Sequence, residues 1–326
     1  MIFRSFPRFI FILVLSLSSA TAVAADAARD WLIKINKAAR TLNYDGAFVY
    51  QHNAQLEVMR IIHKVENGSA RERLVSLNGV AREIIRDDKE IRCYWPDKNS
   101  ATVEYRKVQD KNFPSILPDP LQGFDENYVL KLGRTERIAG RAAQLVIITP
   151  NDDYRYGYHL WADKDSGLLL KAELLDSKGT VLERFMFTQL NVGGKIPDSA
   201  LKPGVAGESL VWHRADDKNV KLDVRQGWTV GQLPRGFRLS MHSMRHVPMR
   251  EKPVEHLVYT DGLATVSVFI EKQEKEAKPI MIGPRHMGAV HAHGAHVDDF
   301  QITVVGEVPA ETVSMISESV APVRSR

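Results

Sequence analysis

The chain has 326 residues, of which 44% are apolar and 26% are charged. This composition is typical of a globular protein with enough length for two domains, and it excludes a long disordered chain. The formal net charge of +4 is small for this length and argues against a nucleic-acid-binding domain.

The first segment predicts a secretory signal peptide over residues 1–24. Two arginines precede an apolar run from Phe9 to Val23, and small residues follow as far as Ala25. The run is short for a membrane span, so an uncleaved anchor is the alternative interpretation. We therefore expect a protein exported to the periplasm, with the signal peptide cleaved near Ala24 or Ala25.

The next segment, "DAARDWLIKINKAARTL", predicts an amphipathic helix. Apolar residues recur in it at helical spacing, and charged residues occupy the other sides. The apolar stripe consists of Ala28, Leu32, Ile35, Ala39 and Leu42. We expect this stripe to face a hydrophobic core.

From Asn43 to Gly194 the apolar pattern has period two and predicts a long series of strands. Turn signals at Asn78-Gly79, at 163–167 and at 177–179 separate them. Because no parallel crossover is visible, we expect an antiparallel meander that forms a barrel or a strongly curved sheet. Cys93, the only cysteine, excludes an intramolecular disulfide and is interpreted as a small buried residue.

The strand "LEVMRIIHKV" is apolar on both faces, which a sheet with one solvated face does not require. Something must therefore cover its second face. A candidate is the segment 111–130, where Pro114, Pro118 and Pro120 exclude a central strand. We expect an apolar loop or short helices there, which would plug the concave side together with the first helix.

A Gly- and Pro-rich stretch near residues 193–209 ends the first domain. The predicted division is an N-terminal domain over 25–206, a linker over 207–226 and a smaller C-terminal antiparallel sheet domain over 227–326. In the second domain, Asp261-Gly262 marks a hairpin, and Pro309 opens a terminal helix. The fold class is mainly β with few helices.

The common catalytic motifs are absent from the sequence. It contains no G-x-G-x-x-G, no phosphate-binding loop, no H-E-x-x-H and no G-x-S-x-G. We therefore expect a binding protein without enzymatic activity and without a cofactor.

A histidine-rich stretch, "HMGAVHAHGAHVDD", is the one candidate for a metal site. His291, His293 and His296 are weak candidate ligands, since their spacing matches no named site. The alternatives are a polar loop that happens to be rich in histidine, and a pH-sensitive loop. We expect no required metal.

Aromatic and large apolar residues on the predicted strands suggest an apolar cavity inside an incompletely closed barrel. The candidate lining residues are Met59, Ile61, Trp95, Tyr158 and Trp161. For each of them, an ordinary place in the core is the alternative.

At "RIAGRAAQLVIITPNDDYRYGYHLWADKDSGLLLKAELL" the sequence resembles the sigma-E factor regulatory proteins of the RseB/MucB family. Further similarity lies in "NYDGAFVYQH", "LEVMRIIH", "GWTVGQLPRGFRL", "HLVYTDGLATVSVFIE" and "MGAVHAHG…ITVVGEVPAETV". These stretches cover nearly the whole chain after the signal peptide. Only the histidine-rich hairpin departs from the family pattern.

The resemblance implies an N-terminal half-open antiparallel β-barrel similar to LolA, with helices that plug it, and a smaller C-terminal sheet. It implies a periplasmic regulator that binds the periplasmic domain of an RseA/MucA-like membrane anti-sigma factor and shields it from proteolysis. Lipopolysaccharide or a related lipid would release it. A LolA-type carrier of lipid or lipoprotein and a metal-binding periplasmic protein are the alternatives, and a homodimer is one option for its oligomeric state.

Overall fold

A computed structural model describes residues 15–105, 117, 124–204, 210–214, 221–222, 227–245, 253–273 and 282–323. Two large sheets, one in each predicted domain, dominate the fold, which has few helices. Within these ranges no helix is both long enough and apolar enough to cross a membrane. The start of the predicted signal peptide, residues 1–14, lies outside the described part of the chain.

The N-terminal sheet has twelve strands and is not closed. The strands are β1 (Tyr44–His52), β2 (Gln55–Glu66), β3 (Ser69–Ser76), β4 (Glu83–Arg86), β5 (Glu90–Trp95), β6 (Ser100–Tyr105), β7 (Tyr128–Ile138), β8 (Arg141–Pro150), β9 (Gly157–Asp163), β10 (Leu169–Leu175), β11 (Val181–Val192) and β12 (Val211–Arg214). Their order is β12-β6-β5-β4-β3-β2-β1-β11-β10-β9-β8-β7, so β12 and β7 form the two edges. All neighbours are antiparallel except β12 and β6. The predicted open antiparallel meander is confirmed.

The predicted turns at 78–79, 163–167 and 177–179 lie between consecutive strands, as expected. The period-two stretch from Ala81 to Pro96 predicts one continuous strand, but it forms the hairpin β4–β5. The carboxylate Oδ1 of Asp87 accepts bonds from the backbone N–H groups of Lys89 and Glu90, each at 2.9 Å. These bonds stabilise a turn that interrupts the strand, because an Asp side chain can replace backbone hydrogen bonds at a turn.

Helix α1 spans Leu15–Thr41 and packs against β7, β8 and β10. The predicted stripe is confirmed for Ala28, Leu32, Ile35 and Ala39, which are all buried, whereas Leu42 follows the end of the helix and is half-buried. The face of the sheet on which α1 lies is called the inner face below. The helix ends where Thr41 Oγ1 donates to the carbonyl of Lys37, at 2.8 Å.

Strand β2 is covered on both faces, which answers the puzzle of its two apolar sides. Ile61 faces inward with the main core and is fully buried. On the outer face, a 3-10 turn at Asp198–Leu201 lies against β3, and Lys64 and Arg71 bond Asp198 at 2.9 and 2.6 Å. The chain after β11 therefore covers the outer face of β2, where Ile62 is also buried.

The predicted plug 111–130 is described only in part. Its three prolines lie outside the described residues. Leu117 and Phe124 are buried in the same cluster as the α1 stripe, and a short helix α2 spans Phe124–Asn127. These two side chains agree with an apolar segment folded onto the inner face.

The C-terminal domain contains a seven-stranded antiparallel sheet of order β13-β15-β16-β17-β20-β19-β18 and a two-stranded sheet of β14 and β21. The strands are β13 (Lys221–Leu222), β14 (Trp228–Val230), β15 (Arg238–Arg245), β16 (Val254–Thr260), β17 (Thr265–Lys272), β18 (Gly283–Met287), β19 (Val290–Val297), β20 (Phe300–Gly306) and β21 (Val320–Pro322). Helix α3 spans Ala310–Glu318 and packs on β19 and β20. The terminal helix is confirmed; it ends at Glu318, and β21 begins at Val320.

The segment predicted as a linker, 207–226, contributes a strand to each sheet. Its β12 pairs with β6 of the N-terminal sheet, and its β13 pairs with β15 of the C-terminal sheet. The domain boundaries themselves stay a prediction.

Candidate functional site

The five candidate cavity residues do not share one surface. The strand register places Met59, Ile61, Trp95 and Tyr158 on the inner face. Trp161 is an odd number of residues from Tyr158 on the same strand and therefore lies on the opposite face. There it pairs with Leu145, and the Lys171 ammonium lies 3.9 Å from its ring centroid.

Burial separates the four inward residues further. Met59, Ile61 and Tyr158 are buried among core side chains, whereas Trp95 is partly exposed. The role of these residues in a ligand cavity stays a prediction, and Trp95 is the one that already borders open space.

Trp95 borders a pocket of about 500 Å³ at the ends of β2, β3 and β5. The pocket lies against Gln55, Leu56, Glu57, Ser76, Asn78, Gly79, Val80, Arg82, Trp95 and Lys98. Asn78 holds the loop after β3 onto β2, because its amide donates to the carbonyl of Leu56 at 3.0 Å and accepts from the N–H of Val58 at 2.6 Å.

The pocket combines apolar surface with positive charge. Leu56 and Val80 are 53% and 61% exposed at its rim and supply apolar surface there. Arg82, paired with Glu57 at 3.0 Å, and Lys98 also line it. Such a surface can hold an apolar chain that carries an anionic group.

A second candidate region is the seam between the two domains, whose centre is Arg155. This side chain comes from the loop between β8 and β9 and is fully buried. Its guanidinium binds Asp152 of the same loop through two bonds, at 3.0 and 2.9 Å. It also donates to the carboxylate of Asp261 and, at 2.7 Å, to the carbonyl of Arg235, both in the C-terminal domain.

Asp261 is the acidic partner and is as buried as the arginine. Its Oδ1 accepts the backbone N–H groups of Leu263 and Ala264, at 2.9 and 2.8 Å, which shapes the turn between β16 and β17. Its Oδ2 accepts the Tyr128 hydroxyl at 2.8 Å in addition to Arg155. Both oxygens therefore have hydrogen-bond donors, as a buried carboxylate requires.

Further polar bonds across the seam come from the same stretch of the N-terminal domain. The Thr312 hydroxyl of α3 donates to the carbonyl of Tyr154 at 2.8 Å, and Tyr158 donates to Glu307 at 3.4 Å. The Nδ1 of His291 lies 2.9 Å from the carbonyl of Val308 and 3.2 Å from the hydroxyl of Tyr156.

Two hairpin tips of the C-terminal domain complete the hydrophobic core of the N-terminal domain. Leu263, between β16 and β17, and Ala289, between β18 and β19, are buried in the cluster that contains the α1 stripe. The seam is thus partly a shared core rather than a polar contact alone.

Burial and neighbouring charges determine the protonation states of the tyrosines and of Arg155 in the seam. It raises the pKa of Tyr128, and the negative charge of Asp261 raises it further. Burial and Glu307 likewise raise the pKa of Tyr158. For Arg155, burial alone would lower the pKa, but the bonds to Asp152 and the charge of Asp261 outweigh burial and raise it. The tyrosines therefore remain donors and the arginine remains charged.

The histidine-rich stretch is a hairpin strand, not a loop. His291, His293 and His296 all lie on β19, and His296 points to the opposite face from the other two. Among the described residues, no three His, Cys, Asp or Glu side chains are grouped closely enough to hold a metal ion.

Sequence reasoning missed the seam. It assigned Asp261 to a turn, which is correct, but it gave no role to Arg155, which is 106 residues away. The only signal was the turn motif itself, since the pairing of distant charges leaves no periodic pattern.

The chain is similar to a known protein family over most of its length. The MucB/RseB N-terminal domain matches residues 27–205, and the MucB/RseB C-terminal domain matches residues 223–321. A curated relative, the sigma factor AlgU regulatory protein MucB of Pseudomonas aeruginosa, is 36% identical over 314 residues, which are 94% of this chain and 95% of the relative.

Two solved structures are similar over most of the chain. MucB in complex with MucA(peri) has a TM-score of 0.71 at 34% identity and covers 91% of this chain and 100% of that one. MucB alone has a TM-score of 0.62 at 33% identity and covers 91% of this chain and 98% of that one.

Proposed function

This chain belongs to the MucB/RseB family, and on that basis we propose that it regulates a sigma factor by binding the periplasmic domain of a membrane anti-sigma factor. The observation that carries the proposal is the similarity to MucB in its complex with MucA(peri), which extends over both domains and 91% of this chain. A partner that contacts both domains requires them to be held together, and the seam around Arg155 does so.

The regulator acts by remaining bound to its partner. Bound protein shields the anti-sigma factor from proteolysis in the periplasm, so the sigma factor stays inhibited. Release exposes the anti-sigma factor to the protease and activates the stress response. This series of events requires binding only. It agrees with our proposal that the chain, whose sequence lacks the common catalytic motifs, is not an enzyme.

Release requires a signal, and we assign that role to lipopolysaccharide or a related lipid. The pocket at Trp95 supports this assignment, because its volume of about 500 Å³ lies in the range typical of ligand sites. Its exposed Leu56 and Val80 suit an acyl chain, and Lys98 suits a phosphate. Lipid can displace the partner only if the two favour different states of the protein.

The test is calorimetric titration of the mature protein with the periplasmic domain of the anti-sigma factor from the same organism. The titration is repeated in the presence of lipopolysaccharide. We expect tight binding that lipid weakens. The variant Lys98→Glu tests the pocket. It should reduce the effect of the lipid on partner binding, and it should leave partner binding without lipid unchanged.

Binding of lipid without any binding of the anti-sigma domain would instead support a LolA-type carrier. The pocket at Trp95 is the observation that favours this second function. A carrier must also deliver its cargo, so labelled lipid or lipoprotein should pass from the loaded protein to an acceptor membrane. Failure of delivery together with partner binding would exclude the carrier.

A further inference from the structure

Arg155 is the largest side chain that is fully buried in the described part of the protein. A buried arginine must be matched by acceptors, because an uncompensated charge in the interior is strongly unfavourable. Here the acceptors come from both domains. The two bonds to Asp152 attach the guanidinium to the N-terminal domain, and the bonds to Asp261 and to the carbonyl of Arg235 attach it to the C-terminal domain.

The aromatic contacts of Arg155 are divided in the same way. Its guanidinium carbon lies 5.5 Å from the ring centroid of Tyr128, in β7, and 5.2 Å from that of Phe237, next to β15. The planar guanidinium of Arg155 therefore contacts one carboxylate and one aromatic ring from each domain. No separation of the domains can preserve all these contacts.

Water would have to enter if the domains moved apart. Asp261 would lose the donors Tyr128 and Arg155, but it would keep the two backbone donors of its own turn. Arg155 would keep Asp152. Each charge thus retains local partners when exposed, which suits a contact that opens and closes better than a permanent core.

The two solved structures of MucB differ in their similarity to this chain. The TM-score is 0.71 for MucB in complex and 0.62 for MucB alone, at nearly equal identity. The similarity to each structure covers 91% of this chain, so it includes both domains.

We propose that Arg155 is a positioning residue: its bonds across the seam hold the two domains in the arrangement that binds the anti-sigma factor. The part of this proposal that concerns the partner rests on the proposed function, whereas the part that concerns the domains does not. Binding and domain arrangement are then coupled, because a partner that requires both domains favours the state in which Arg155 is bonded.

The test combines a distance with an affinity. Spin labels at Lys195→Cys in the N-terminal domain and Asp299→Cys in the C-terminal domain, in a Cys93→Ser background, report the distance between the domains of the free protein. Both label sites are exposed. Titration with the periplasmic anti-sigma domain gives the affinity of the same variants.

Arg155→Met keeps most of the side-chain length and removes the charge. We expect it to broaden the distance distribution and to weaken partner binding by about tenfold or more, within the range typical of coupled sites. Arg155→Lys keeps the charge without the planar fork and should have an intermediate effect. Asp261→Asn tests the other side of the same bond and replaces Arg155→Met if that variant does not fold.

The matched control is Arg141→Met. Arg141 also forms a two-bond ion pair, with Asp163 at 3.0 and 2.9 Å, but both residues belong to the N-terminal domain. This variant should leave the distance distribution and the affinity unchanged. A folded Arg155→Met or Asp261→Asn variant with the distances of the parent protein would overturn the proposal.

Two further outcomes separate the proposals. Broadened distances with an unchanged affinity would overturn the positioning role of Arg155 while the proposed function stands. If the parent protein does not bind the anti-sigma domain at all, the proposed function fails, and the part of the proposal that concerns the partner fails with it. The distance measurement alone then decides whether Arg155 holds the domains together.

Discussion

His63 is a buried histidine on the inner face of β2. Its ring stacks on Tyr44, with centroids 4.6 Å apart, and its Nδ1 bonds the carbonyl of Leu42 at 2.9 Å. Burial lowers its pKa to about 4; the bond to Leu42 opposes this shift, and the positive charge of Arg86 adds to it. Glu72 lies 3.5 Å from Nε2, but Arg86 already pairs with this carboxylate at 2.6 Å. His63 is therefore neutral in the folded protein near neutral pH.

This histidine should make the protein less stable in mild acid. Between pH 6.5 and about 4, the unfolded chain binds a proton that the folded protein does not, so the free energy of unfolding falls as the pH falls. The loss approaches about 3 kcal/mol near the lower pH. Urea unfolding across this range should show a slope that His63→Gln reduces, whereas replacing His213, an exposed residue of β12, should leave it unchanged.

The residues predicted to line a cavity can be separated by their effect on stability. Ile61→Ala should lower the free energy of unfolding by about 2–5 kcal/mol, because it opens a hole in a closed core. Trp95→Ala should cost less and weaken lipid binding, since this side chain borders the pocket. Chemical denaturation of both variants measures the free energy of unfolding, and lipid titration measures their lipid binding. A loss for Trp95→Ala as large as that for Ile61→Ala would place Trp95 in the core.

At the scale of elements, much of the fold could be predicted from local chemistry. The period-two pattern and its turn signals identified most strands, the helical spacing of the apolar stripe identified α1, and Pro309 marked the start of α3. The division of residues 81–96 into β4 and β5 was missed, because Asp87 makes its turn without a glycine. The histidines of β19 were assigned to a loop, because Gly288 and Gly294 suggested a turn, yet Gly294 is buried within the strand.

Gly236 occupies a position that tolerates no side chain. It precedes β15 with a φ of +84°, and an added Cβ would lie 2.2 Å from the amide of Asn127 in α2. Gly236→Ala should therefore lower the stability by about 1–3 kcal/mol more than backbone strain alone accounts for. Gly179→Ala is the control, because its φ is +80° and nothing lies within 4 Å of the added carbon. Equal melting temperatures for the two variants would show that Asn127 moves freely.

At the scale of the whole molecule, the seam should make the two domains unfold together. Leu263 lies in the C-terminal domain but is buried in the core of the N-terminal domain. Leu263→Ala should separate a single calorimetric transition into two, because it weakens the contact between the domains more than either domain. Leu239→Ala, at a side chain that is 40% exposed, is the control and should retain one transition. One unchanged transition for Leu263→Ala would argue against this coupling.

The site was less predictable than the fold for a physical reason. Periodicity reports which side chains share a face of one element, so it placed Met59 and Ile61 correctly on one side of β2. It carries no information on which loops meet across a domain boundary. Arg155 and Asp261 are ordinary loop residues in the sequence, and only the docking of the two domains makes them a buried pair.

The C-terminal domain begins and ends at one place. Its first described strand after the linker, β14, pairs with β21, and the N–H of Val323 bonds the carbonyl of Gly227 at 2.9 Å. Both ends of the domain are thus neighbours, which is the geometry that allows circular permutation and insertion of a domain into another protein. The chain connectivity therefore permits insertion of this domain into another protein. A circularly permuted chain that starts in the exposed turn at Asp298 should still form the β14–β21 pair.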